Sequence, residues 1–102
     1  MLLKNLISNL QPNVAKLKIN GISFDTRTIK KGNLFVSIKG SKNNGNNFIK
    51  EATTKGAKAI IYSGKIKKNN KVIFVKVKDT RDTLSKICAK YYNFFVNIYE
   101  HL

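Results

Sequence analysis

This chain is short of most residues from which catalytic sites are built. Its 102 residues contain one histidine, one cysteine, no tryptophan and only five carboxylates. The lone histidine, His101, stands beside the end of the sequence. A Ser-His-Asp or Cys-His arrangement would therefore rest on a position where chains fray. The carboxylates Asp25, Glu51, Asp79, Asp82 and Glu100 are not spaced as an acid/base pair or a metal clamp. Neither a catalytic residue nor a metal site is expected. One cysteine excludes a disulfide framework and a zinc site. Cys88 lies among apolar neighbours at helical spacing and reads as a small core residue in a reducing compartment. No run reaches the length of a membrane span. Met1 to Leu10 is apolar, but Lys4, Asn5, Ser8 and Asn9 interrupt it and no small-residue cleavage site follows. A cytoplasmic protein without membrane association is expected.

Negative charge is also scarce, and the formal net charge is +15. That balance raises the alternative of a small basic module for nucleic acid or another polyanion. Two features argue against nucleic acid. Arg27 and Arg81 are the only arginines, and arginine is the usual reader of bases and phosphates. The lysines are scattered along the chain and form no single stripe.

What is present is a regular alternation of apolar segments. The length allows one domain with one modest core. Leu2, Leu3, Leu6, Ile7 and Leu10 recur at helical spacing, so residues 2–10 read as a short helix ended by Pro12. Residues 14–19 alternate as a strand, Asn20-Gly21 is a turn signal, and residues 21–27 read as a second strand. Residues 34–39 are apolar on both faces, as in a central strand. Residues 40–47 form a Gly/Asn loop. A helix follows over 48–55, with Asn46 or Asn47 as N-cap and Gly56 as its stop. Residues 57–62 and 71–77 are further strands, separated by a lysine-rich turn. Asp79 caps a last helix carrying a stripe of Leu84, Ile87, Cys88, Tyr91, Tyr92 and Phe95. The order predicts an α/β three-layer sandwich around a mixed β-sheet.

The loop after residues 34–39 carries the clearest chemical signal. Gly40-x-x-x-x-Gly45 lies between a strand and a helix, like the start of a Walker A loop. The Lys and Ser/Thr that must follow are replaced by Asn46 and Asn47, which excludes that mode of ATP binding. Glycines still admit backbone N–H groups to a ligand, and the next helix offers its positive N-terminus. Ser41 and Asn43 add hydrogen-bonding groups and Lys42 adds charge. Asp25-Thr26-Arg27 ends another strand, and ligands of α/β sheets sit outside strand carboxyl ends. These segments together suit a nucleotide diphosphate. The plainer reading is a strand-to-helix connection and nothing more.

Four segments, in order and with matching gaps, carry a family resemblance. Residues 21–27 (GISFDTR) resemble the D-S/T-R segment that opens Mur ligases of the MurE and MurF types. Residues 31–40 (KGNLFVSIKG) are similar to their G-D-L-F-V-A-x-x-G segment. Residues 44–49 (NGNNFI) resemble D-G-H/N-x-F-I. Ala52 with Gly56-Ala57-Lys58-Ala59 matches A-x-x-x-G-A-x-A. Residues 72–77, then Asp79-Thr80-Arg81 and a helix reaching Tyr91-Tyr92, favour the MurE type over the MurF type. The resemblance covers about residues 1–95. Asn33 and Asn44 stand where the family usually has aspartate.

The resemblance implies the N-terminal, UDP-binding domain of an ATP-dependent ligase of peptidoglycan synthesis. Its substrate would be UDP-N-acetylmuramoyl-L-Ala-D-Glu. By position, Phe24 and Thr26 would line the uracil and ribose side, and Ser41, Lys42 and Asn43 the diphosphate. Asp25, Arg27, Gly40 and Gly45 would shape the loops. The family's ATP and Mg²⁺ are held by central and C-terminal domains that have no counterpart in these residues, so no cofactor is expected here. Residues 96–102 do not fit the family's linker and read as a run-on. The chain alone is not expected to form the peptide bond, and a separate chain carrying the remaining domains is a possible partner.

Overall fold

The computed structural model describes residues 1–38 and 45–100, with only the backbone described at 45–47 and 94–100. Short runs rich in β-branched and aromatic residues suit a pleated, buried surface. Three of them form β2 (Leu34–Val36), β3 (Ala59–Tyr62) and β4 (Ile73–Lys76), and β1 (Ile22–Ser23) adds an edge. The sheet order is β1-β2-β3-β4, and every pairing is parallel.

Successive strand residues face opposite sides of the sheet. Leu34, Val36, Ala59 and Ile61 enter one core, while Phe35 and Ile60 enter the other. The second core is closed by Ile29, by Ile49 and Ala52, and by Ile66 and Val72, so each strand-to-strand connection contributes. A parallel sheet in sequential order needs all crossovers on one face if they share a hand. One of these crossovers is α2 (Gly45–Thr54). The first core is closed by Leu3, Leu6 and Ile19 from the N-terminal segment and by Ile87 of α3 (Thr80–Glu100). The result is a three-layer α/β arrangement.

Several expectations need correction. The sheet is parallel and not mixed; among the described residues the one antiparallel feature is an isolated bridge between Leu2 and Lys18. The same pairing overturns a helix over 2–10. The Leu3 N–H donates to Leu17 O at 2.8 Å, and the Ile19 N–H to Met1 O at 2.8 Å. Extended pairing with residues 17–19 leaves only a 3-10 turn, Leu3–Asn5. Pro12 begins α1 (Pro12–Ala15) and does not end a helix, since its missing N–H costs nothing at a first position. The predicted strand over 14–19 is reduced to that bridge. The Asn20-Gly21 pair makes no hairpin. The Asn20 amide donates to Lys31 O at 2.8 Å and accepts from the Asn33 amide at 3.0 Å. Buried Asn33 also accepts from the Lys30 N–H, so an amide there joins the turn at 30–33 to the entry of β1 in a way a carboxylate could not.

The helix expected over 48–55 begins at Gly45, which places Asn46 and Asn47 inside it and not at its cap. Gly56 does stop α2: its φ is +93°, and a Cβ there would lie 3.0 Å from Lys31 Cα. Asp79 caps α3 by accepting from the Asp82 N–H at 3.1 Å. The stripe on α3 is narrower than expected. Thr80 and Ile87 are buried and Leu84 and Tyr91 partly so, whereas Cys88 and Tyr92 are exposed. At 3.6 residues per turn these residues, with half-buried Thr83, span less than about a third of the helix circumference, and Cys88 and Tyr92 fall outside that arc. Cys88 is therefore a surface thiol and not a core residue. The backbone of α3 runs unbroken from Phe95 to Glu100.

Candidate functional site

The carboxyl ends of β1 and β2 open into a cleft of about 270 Å³ lined by Phe24, Asp25, Thr26, Phe35, Ser37, Ile38 and Phe48. Parallel strands deliver all their exits to one edge, and that edge is where α/β sheets bind ligands. Phe24 and Thr26 leave β1 in sequence, and Ser37 and Ile38 leave β2. Phe48 comes from the first part of α2, whose ten residues start at Gly45. A helix of that length presents unpaired N–H groups and a partial positive charge at its start.

The wall supplied by β1 is built around Asp25. Its carboxylate accepts from the Arg27 N–H at 2.9 Å and caps the 3-10 turn Thr26–Thr28. The Arg27 guanidinium closes on both carboxylate oxygens, with Nη2 at 2.6 Å from Oδ2. Below it, the Ser23 and Thr28 hydroxyls lie 2.7 Å apart, and Thr28 Oγ1 donates to Asp25 O. Asp25 and Arg27 thus spend their polar groups on each other and on the turn. Thr26 is left buried against the cleft, while Phe24 is 60% exposed at its rim.

The Arg27 side chain, and after it the Arg27 N–H, lowers the Asp25 pKa from 3.8 to about 2. A depressed carboxylate pKa contributes stability that is complete above the unfolded value and is lost as pH falls through the folded one. The turn is therefore expected to hold down to about pH 4 and to loosen between there and about pH 2. Titration of the Asp25 carboxyl by NMR checks this. In Arg27→Ala the midpoint should move up towards 3.8.

Of the residues expected at the site, Phe24, Asp25 and Thr26 line one cleft and Arg27 braces it. Gly45 opens α2 at its far wall. Gly40, Ser41, Lys42 and Asn43 lie outside the described residues. Phe35, Ser37 and Phe48 were not singled out by sequence. The signal for the first two was period 2 along β2, which puts them on the same face.

Other hollows suit a ligand less well. A groove of about 490 Å³ is lined by Lys50, Lys67, Lys68, Lys71, Thr53, Thr54 and other residues. The lysines there sit beside the C-terminal half of α2, where the helix dipole itself favours cations. The Thr53 and Thr54 hydroxyls donate to Ile49 O and Lys50 O, so they are not turned to an anion. A further hollow, at Asn20, Gly21 and Asn33, lies at the amino ends of the strands. Among the described residues no group of three or more His, Cys, Asp or Glu side chains could hold a metal. Among the same residues no helix is long and apolar enough to cross a membrane.

Comparison with known proteins gives the same direction. The family described as "Mur ligase family, catalytic domain" matches residues 18–92. The chain is 35% identical over 96 residues to the UDP-N-acetylmuramoyl-L-alanyl-D-glutamate--2,6-diaminopimelate ligase of Clostridium perfringens, covering 90% of this chain and 20% of that one. It is 39% identical over 77 residues to the enzyme of the same name from Clostridioides difficile, covering 76% of this chain and 16% of that one. Among solved structures, MurF from Acinetobacter baumannii superposes with a TM-score of 0.58 and 25% identity, over 71% of this chain and 15% of that one. The chain thus spans about a fifth or less of the length of these relatives.

Proposed function

The chain belongs to the Mur ligase family, and from that premise we propose that it is the UDP-sugar-binding part of a peptidoglycan ligase of the MurE type. Its ligand would be UDP-N-acetylmuramoyl-L-Ala-D-Glu, the acceptor that the curated relatives' names print. The observation that carries the reading is the cleft at the ends of β1 and β2, with Phe24 and Thr26 on one wall and α2 on the other. Phe24 offers an exposed ring face to a base. The Thr26 hydroxyl, whose proton is directed to Glu51, keeps its acceptor lone pairs for a donor on the nucleoside. The start of α2 favours a diphosphate, the group to which the family resemblance assigns Ser41, Lys42 and Asn43.

On this reading the described residues bind and orient the nucleotide-sugar. Activation by ATP and Mg²⁺ belongs to parts of the ligase outside these residues, and the setting is the cytoplasm. The MurE type is preferred because curated relatives bear that activity in their names, four of them at 33–39% identity.

Thermal melting with added ligand tests the proposal. A ligand that binds only the folded state stabilises it by about 2.7 kcal/mol at one hundred times its Kd. UDP and the UDP-sugar dipeptide should both raise the melting temperature, and UMP should do so less. An unchanged melting temperature at millimolar UDP-sugar dipeptide would count against it.

A further inference from the structure

Lys55 lies immediately after α2 and far in sequence from β1, yet its ammonium reaches Thr26 O at 2.6 Å. The same ammonium pairs with Glu51 Oε1 at 2.9 Å. The Thr26 carbonyl belongs to the turn that presents Phe24 and Thr26 to the cleft, whereas α2 carries Phe48 on the opposite wall. One cation therefore joins the two walls. Its neighbours show that the contact is organised. Glu51 is held below its usual pKa chiefly by Lys55, with a smaller contribution from the Thr26 hydroxyl. Asp25 also feels the Lys55 charge, but its carboxylate is engaged by Arg27. Lys55 itself is not among the residues lining the cleft.

We propose that Lys55, held by Glu51, is a positioning residue that fixes the width of the nucleotide cleft by tying the Thr26 turn to α2. The inference rests on the nucleotide-binding reading above for its ligand, and on the Thr26 contact for its geometry. Fixing both walls before binding lowers the cost of ordering them when the ligand arrives.

The test compares Lys55→Met, which keeps most of the aliphatic stem, with Lys55→Arg, which keeps a cationic donor. UDP affinity should fall by about 3- to 30-fold in Lys55→Met, the range found when a coupling contact outside a site is lost. It should be restored in large part by Lys55→Arg. Glu51→Gln should lie between wild type and Lys55→Met. The difference should persist at about 1 M salt, where a bare long-range charge effect is screened within about 3 Å. In the unliganded protein, the Thr28 amide, which donates to Asp25 O, should exchange with solvent faster in Lys55→Met. Equal UDP affinity in wild type and Lys55→Met would overturn the proposal, as would a difference that vanishes at high salt. If the wild type binds no UDP, the nucleotide reading fails, and exchange at Thr28 decides the tether separately: unchanged exchange overturns it, and faster exchange supports it.

Discussion

Phe24→Ala should weaken UDP binding by about 5- to 150-fold, the equivalent of the 1–3 kcal/mol that a base gains on an aromatic face. The folded protein should barely notice the change, because the ring is 60% exposed and belongs to neither core. Exposed large apolar side chains on small domains are unremarkable singly. This one stands at the rim of a cleft, one residue beyond the last pair of β1, where its backbone is fixed by the Asp25 cap and the Ser23–Thr28 hydroxyl contact. A ring so placed loses little entropy on stacking. Isothermal titration of wild type and Phe24→Ala with UDP, alongside a urea melt of each, separates the two effects. Phe24→Tyr should retain most of the affinity. A loss of stability without loss of affinity would show that the ring serves the fold and not the ligand.

Ile61→Ala should remove about 2–5 kcal/mol of stability, the usual cost of emptying a buried aliphatic site. Ile61 is fully buried in β3 and is paired on one side with Val36 and on the other with Val75. A strand hydrogen-bonded on both edges cannot shift to refill the space. Domains of this length have about 5–15 kcal/mol in total, so the variant loses a large share of its margin. Its melting temperature should drop by roughly 8 °C or more, given about 4–8 °C per kcal/mol at this size. Ile66→Ala, in the partly exposed connection between β3 and β4, should cost much less. Added UDP should recover part of the Ile61→Ala loss, because the ligand favours the folded state whatever destabilised it.

Those two residues also show what could be read in the sequence and what could not. Ile61 lies in a run of β-branched residues whose burial is a local signature, and β2, β3 and β4 were all located that way, each shorter than the apolar run that announced it. Asp79 and Gly56 marked helix ends for reasons that need no tertiary contact: an acceptor for free N–H groups, and a positive φ. The N-terminal segment shows the opposite case. Leu3 and Leu6 have helical spacing, but backbone pairing with residues 17–19 satisfies more groups than a single turn of helix would. Asn20-Gly21 carries a turn signal, and what it serves is close packing against Asn33.

At the site, Phe24, Asp25, Thr26 and Arg27 were legible because the turn they form is local in sequence. Phe35 and Ser37 were implicit in the strand period. The Lys55 contact had no local signal, since its partner lies on the other side of β2. Cys88 was misplaced because apolar character gave the stripe, while the angular width of the contact between α3 and the sheet decided which residues it covered.

The most direct measurement is a titration of UDP-N-acetylmuramoyl-L-Ala-D-Glu into the full chain, followed through amide chemical shifts. The nucleotide-binding reading predicts saturable shifts concentrated at residues 24–28, at Ser37 and Ile38, and at Phe48 in the first half of α2, all displaced together to higher ligand concentration in Phe24→Ala. Saturable shifts confined to the groove of Lys50, Lys67, Lys68 and Lys71, or a folded protein with no shifts at millimolar ligand, would contradict it.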